Sequence, residues 1–220
     1  MMAPAVTVLQ LDTGFPRIPG DVACADTYIG GVEIIRITNA SVAAIVNDRP
    51  DQIDIRPFEI AIKKAKGDVI VTSCGFLSYW QTHLAELTSR PFISSSLTAL
   101  QKLEQEFDPT EILVVTFDKN KLNQLHLGRS GYQVIGLSPN MYLRKIISQN
   151  LNSVDVTKAS NQITSWIVQK MKKEIKHIVL ECTNLPPYKS EIQRMTDLEV
   201  TDILTCIEAV RPRTINSKFI

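Results

Sequence analysis

The chain has 220 residues, 44% hydrophobic and 21% charged, with 24 Lys plus Arg against 23 Asp plus Glu for a net charge of +1. This is an ordinary globular composition, long enough for one large domain or two small ones, and it excludes collagen-like and disordered classes. So small a net charge supplies no steering field and argues against a dedicated nucleic-acid binder, and no apolar run approaches the roughly 20 residues needed to cross a bilayer.

The opening MMAPAVTVLQLD has no basic segment and meets Asp12 too soon for a signal peptide, so a cytosolic (cytoplasmic) protein is expected. Residues 6–11 and 32–37 read as the first two strands. A helical pattern over 57–66 carries Phe58, Ile62 and Ala65 on one side and closes at Gly67, a C-terminal stop signal. A strand over 68–73, a helix over 77–87, a short strand over 91–94 and a helix over 97–107 follow. The series resumes with strands over 111–116 and 132–136. The four-residue spacing of Ile163, Ile167, Met171 and Ile175 predicts a helix over 163–175. Strands over 177–181 and 198–201 and a last helix over 202–210 complete the chain. Strands alternating with helices predict parallel sheets covered by helices.

An internal repeat runs through this order. VIVTSCGFLSYWQTHLAELTSRPFISSSLTALQKL and IVLECTNLPPYKSEIQRMTDLEVTDILTCIEAV each have a β-branched strand ending in cysteine, a leucine (Leu77, Leu185), a helical stretch, a short strand and a further helix. Pro91 and Glu199 open the short strands equally far beyond each cysteine. The repeat predicts two similar α/β units of about 100 residues. The last helix occupies the place that residues 97–107 hold in the first repeat and can cross back. The expected units are therefore 1–97 with 203–220, and 98–202.

Cys24, Cys74, Cys182 and Cys206 are far apart, with neither zinc-finger nor thioredoxin spacing, and are expected as free thiols. Cys206 lies in a helical pattern and reads as core packing; Cys24 sits in a Gly/Pro-containing loop with no chemical role required. Cys74 and Cys182 end matched strands, where open parallel sheets bind ligands. Thr72, Ser73, Gly75, Thr183 and Asn184 flank them with hydroxyls, backbone N–H groups and a small residue, which suits a carboxylate. Two opposed thiols fit racemisation beside a carboxylate: one removes the α-proton and the other returns a proton to the opposite face. A thiol, with a reference pKa of about 8.5, can serve either role after modest tuning. Fixed donors must stabilise the developing enediolate, and helix N-termini after each cysteine would favour the thiolate.

At these residues the chain resembles the aspartate/glutamate/hydantoin racemase superfamily, in particular the branch opening with LDTxFPRxPGD. The matching segments are LDTGFPRIPGD (residues 11–21), TSCGFL (72–77), SSL (95–97) and ECTNLPPY (181–188). The resemblance implies two pseudo-symmetric parallel-sheet α/β domains with the active site in the interdomain cleft. It implies Cys74 and Cys182 as acid and base, with no cofactor and no metal. It also places Asp12, Thr13, Thr72, Ser73, Thr116 and Thr183 at substrate-facing positions. Arg17 departs from the glycines usual in glutamate racemases; it could pair with a substrate carboxylate or be structural. Ala23 and Cys24 stand where the branch commonly has Gly-Asn. Glu181 replaces a small residue, and either opposes thiolate formation by like-charge repulsion or points away along its strand.

His83, His126 and His177 make no metal set, and the basic run KMKKEIK lacks the aromatic interleaving of a nucleic-acid site. The expected partner is a small carboxylate, without nucleic acid or membrane; a homodimer rests on the likeness alone. The expected activity is racemisation of aspartate or glutamate. Alternatives on the same scaffold are hydantoin racemisation, maleate-type cis–trans isomerisation and malonate decarboxylation. A non-catalytic carboxylate-binding protein is the alternative of another class.

Overall fold

A computed structural model describes residues 4–220. Its first half runs β1 (Val6–Leu11), β2 (Val32–Ile37), α1 (Val42–Ile45), α2 (Arg56–Lys64), β3 (Val69–Thr72), α3 (Gln81–Ala85), β4 (Phe92–Ile93) and α4 (Leu100–Leu103). The second runs β5 (Ile112–Thr116), α5 (Gln124–Leu127), β6 (Gln133–Gly136), α6 (Tyr142–Gln149), α7 (Val156–Lys170), β7 (His177–Leu180), α8 (Lys189–Thr196), β8 (Glu199–Thr201) and α9 (Ile203–Val210). There are two four-stranded sheets, ordered β2-β1-β3-β4 and β6-β5-β7-β8, with every pairing parallel. The fold class is thus the expected one, and the repeat in the sequence is a repeat of topology. In each sheet the strand order reverses direction beside the first strand of the unit, which opens a crevice at the C-terminal ends. Cys74 follows β3 and Cys182 follows β7, equivalent places in the two sheets.

Helices on both faces explain why the central strands are continuously apolar. All five residues of β5 and all four of β7 are buried. In β1 the alternation of side chains divides two cores: Leu9 and Leu11 face the large one, Val6 and Val8 a smaller one. The smaller core also holds Ile203, Leu204 and Ile207 of α9, with Ile215 beyond it, so the C-terminal helix packs on the first sheet. An antiparallel bridge between Tyr28 and Ile215 ties the tail there. Among the described residues, no helix is long and apolar enough to cross a membrane.

Several helices differ from the periodicity. The predicted 77–87 helix is a 3₁₀ segment, Gly75–Trp80, followed by α3. Tethers to other elements hold this stretch: Ser78 Oγ donates to the His126 carbonyl and Gln81 Nε2 to the Phe92 carbonyl. The predicted 97–107 helix is likewise a 3₁₀ turn, Ser96–Ala99, capped by Ser95, with α4 after it. The long helix is α7, starting at the Asp155 cap and stopping at Lys170 rather than reaching Ile175. Gln133 clamps that end, since its Nε2 donates to the Lys170 carbonyl at 2.7 Å and its Oε1 accepts from the Lys172 N–H at 3.0 Å. Helix α6 was not anticipated; Leu143, Ile146 and Ile147 give it a buried face.

Gly67 is not the stop of α2. The helix ends at Lys64 with Ala65 already extended. Gly67 instead lets the chain pass against β1: a Cβ there would lie 2.3 Å from the Thr7 nitrogen and 2.4 Å from the Val6 carbonyl carbon. Backbone cannot yield as a flexible side chain can. Gly67→Ala is therefore expected to destabilise the chain by about 1–3 kcal/mol or more, read as a lower urea midpoint. An unchanged midpoint would refute the close-approach account.

Candidate active site

The two cysteine motifs are fastened to each other. Thr183 Oγ1 donates to the Ser73 carbonyl at 2.7 Å, joining the residue before Cys74 to the residue after Cys182. Ser73 Oγ accepts from the Leu11 N–H at 3.0 Å, which draws the end of β1 into the same place. Ser96 Oγ donates to the Leu180 carbonyl at 2.7 Å and ties the end of β7 to the first half. Between these ends lies a narrow pocket, lined by both thiols. Cys74 is 8% exposed and Cys182 6%.

The predicted residues divide into two groups. Thr13, Arg17, Ser73, Gly75, Thr183 and Asn184 line the pocket with the cysteines. Asp12, Thr72 and Thr116 do not. The Asp12 carboxylate is held away, accepting from Arg36 Nε at 2.6 Å and from the Asn39 N–H at 3.1 Å. Thr72 Oγ1 donates to the Ser94 carbonyl at 2.6 Å and lies 3.0 Å from the Cys74 carbonyl, so it shapes the turn that carries the thiol. Thr116 Oγ1 donates to Glu181 Oε2 at 2.6 Å. The helix N-termini also differ from expectation. Cys74 caps the 3₁₀ segment Gly75–Trp80, but after Cys182 a helical turn starts only at Pro186.

Arg17 is built into the site. Its Nη1 donates to both Asp21 carboxylate oxygens, at 3.2 and 3.3 Å, and its Nη2 to Thr13 Oγ1 at 2.9 Å. The guanidinium lies 4.2 Å from the centre of the Phe15 ring. Its Nε is buried without a partner. Asp21 in turn accepts from Asn184 Nδ2 at 2.7 Å, so this ion pair spans from the opening loop to the second cysteine motif. Asn150, in the left-handed conformation that ends α6, holds the same loop by accepting from the Gly14 and Phe15 N–H groups at 2.7 and 3.1 Å. The sequence reading assigned no role to Asp21 or Asn150. The PGD motif was the visible signal for Asp21; a lone Asn gave none for the other.

Glu181 settles on the pocket side of its strand. It is 1% exposed, lines the pocket, and its Oε1 has no partner. Gly75 makes room for it, since a Cβ there would stand 2.3 Å from Oε1 and 2.5 Å from the Glu181 carbonyl. Burial raises the Glu181 carboxyl to about 7, against lowering by Thr116 and the Phe117 backbone. Burial and then the Glu181 charge push Cys74 up to about 12, opposed by the Phe76 backbone and by Arg17. Cys182 is raised well above its ordinary range by burial, Glu181, Cys74 and Asp21, with the Asn184 backbone opposing. Both thiols are therefore held toward the neutral form, and added positive charge nearby would ease the ionisation of either.

No family model matches the chain. It is 24% identical over 218 residues to a dimethylsulfoniopropionate lyase of Durusdinium sp. clade D, covering 90% of this chain and 70% of that protein. It is also 24% identical over 227 residues to dimethylsulfoniopropionate lyase 5 of Emiliania huxleyi (strain CCMP1516), covering 94% of this chain and 45% of that one. The chain thus spans less than half the length of the second relative. Among solved structures it resembles allantoin racemase from Pseudomonas fluorescens, with a TM-score of 0.59 and 13% identity over 93% of this chain and 88% of that one. It likewise resembles arylmalonate decarboxylase, with a TM-score of 0.53 and 12% identity over 90% and 86%. Glutamate racemase from Bacillus anthracis gives 0.51 and 15% over 90% and 76%.

These findings correct the expected activity. The likeness to racemases and to a decarboxylase is one of fold, and a fold hosts many chemistries. The curated relatives that match across nearly the whole chain are named lyases. The expectation of an aspartate or glutamate racemase, with its isomerase, decarboxylase and non-catalytic alternatives, is overturned by them. What the solved structures support is the fold alone.

The buried carboxyl has a thermodynamic signature. Folded Glu181 keeps its proton to about pH 7, whereas the unfolded chain releases it near 4.5. Between those values the folded state binds more protons, so this contribution is full below about 4.5 and is lost as pH rises through about 7. The displacement corresponds to about 3 kcal/mol. Wild type is expected to lose stability relative to Glu181→Gln by about that amount between pH 4.5 and 8, followed by urea unfolding. A difference independent of pH would contradict the assignment.

Proposed function

We propose that this chain is a lyase acting on dimethylsulfoniopropionate or a close sulfonium carboxylate, with a thiol of the Cys74–Cys182 pair as the base. The arrangement that carries the reading is one buried pocket holding both thiols, an arginine with a free N–H and largely apolar walls, in a chain whose matched relatives bear that name. Arg17 receives the substrate carboxylate through Nε, its other nitrogens being oriented by Asp21 and Thr13. One thiolate removes the proton beside that carboxylate. The C–H electrons become the carbon–carbon double bond as the carbon–sulfur bond breaks, and the sulfur leaves as neutral dimethyl sulfide with the bonding pair. Acrylate remains, and the thiol later returns its proton to water.

This elimination makes a smaller demand than racemisation. Inversion needs an acid and a base on opposite faces; loss of a sulfonium needs a base, because the leaving group departs uncharged. The pocket's polarity suits the same substrate. An ammonium would bring three donors, yet apart from Glu181 Oε1 the side-chain polar groups here, the Ser73, Thr183 and Thr13 hydroxyls and the Asn184 Nδ2 group, each already have a protein partner. A dimethylsulfonium donates no hydrogen bond and presents methyl groups, which Phe15, Phe76, Phe117 and Ile147 can surround.

Dimethylsulfoniopropionate incubated with the protein is expected to yield dimethyl sulfide by gas chromatography and acrylate by NMR in equal amounts. Removing the base costs about 10²–10⁴-fold in rate, and comparing Cys74→Ala with Cys182→Ala identifies which thiol it is. Absence of both products, or release unimpaired in both variants, would overturn the reading.

A further inference from the structure

The pocket holds an ionisable carboxyl that the elimination does not use. Glu181 has a buried oxygen without a partner, and among the described residues no Lys, Arg or His bridges to its carboxylate. Its single side-chain bond comes from the Thr116 hydroxyl. Arg17, the cation of this pocket, is bonded instead to Asp21. A buried carboxylate left without a counter-charge is costly, and the usual remedies are pairing or protonation. The chain preserves the arrangement by keeping position 75 free of a side chain, since any Cβ there would strike the Glu181 carboxyl.

We propose that Glu181 is the specificity-determining residue of the site: its carboxylate receives the cationic head of the substrate and selects onium carboxylates over neutral carboxylates of the same shape. The inference rests on the lyase reading for its substrate and adds the residue that reads the charge. Arg17 and Glu181 then address the two ends of one zwitterion, with aromatic rings closing around the onium methyls. The same contact links recognition to chemistry. Both thiols are held in the neutral form by burial first and then by the Glu181 charge. A cation seated beside it cancels that field and eases thiolate formation when the right substrate is bound. A neutral carboxylate leaves the field in place and meets an unionised thiol.

The test uses two carboxylate probes of matched shape, 3-(trimethylammonio)propionate and 4,4-dimethylpentanoate, whose head carries no charge, with binding measured by calorimetry at pH 8. Wild type is expected to bind the cationic probe at least about 10-fold more tightly, and Glu181→Gln to bring the two within about 2-fold. A merely structural role would weaken both probes together. If Glu181→Gln does not fold, the wild-type preference is followed from pH 8 to pH 6, where protonation of Glu181 should remove most of it while both probes keep their carboxylates ionised. The other charged or titratable groups at the pocket are the two thiols, which stay neutral over that range, and the Arg17–Asp21 pair, which meets both probes alike. Equal binding of the probes at pH 8, or a preference that survives in both tests, overturns the inference. Dimethyl sulfide release with equal probe binding would leave the lyase reading intact; strong preference without release would do the reverse.

Discussion

Thr183 Oγ1 donates to the Ser73 carbonyl, and through that bond the residue before one buried thiol holds the residue after the other. The two sheets repeat one topology, so each brings its third strand in chain order to an equivalent end with a cysteine just beyond. Two equivalent ends do not make a site until something fastens them face to face. Thr183 and Ser96 do so with buried hydrogen bonds, which are worth more in a low-dielectric interior than at a surface, and the part-buried Asp21–Asn184 contact adds to them. Ser73 serves twice, accepting from Thr183 through its carbonyl and from the β1 end through its hydroxyl.

The enclosure that results controls the chemistry. A pocket dry enough to strengthen every charge interaction also suppresses ionisation, and both thiols and the Glu181 carboxyl are pushed toward their neutral forms. Such a site disfavours a standing thiolate. It suits a substrate that carries its own positive charge into the cleft. The chain shares its fold with racemases, and a shared fold leaves the reaction to the groups set around the cleft.

Much of the scaffold was legible because its signals are local. β-Branched runs bounded by turn residues marked all eight strands, and the matched spacing about Cys74 and Cys182 disclosed the duplication. Helices were read less well where long-range tethers cut them. Gln133 ends α7 from another strand, and Gln81 and Ser78 pin the segment after Cys74 to distant carbonyls. Gly67 looked like a helix stop because glycine is one, while its actual constraint is the backbone of β1.

The sequence by itself determined the parallel α/β class, the repeat and the two cysteines, since strand propensity, burial and spacing are written in neighbouring residues. Tertiary structure alone decided which polar groups reach the cleft. It turned Asp12 toward Arg36, set Thr116 behind Glu181, and brought Glu181 into the pocket over Gly75. A side chain's charge is readable from its letter, but whether that charge is paired depends on what the fold brings beside it. For Glu181 the fold brings two thiols and a threonine and, among the described residues, no cation in a salt bridge with it.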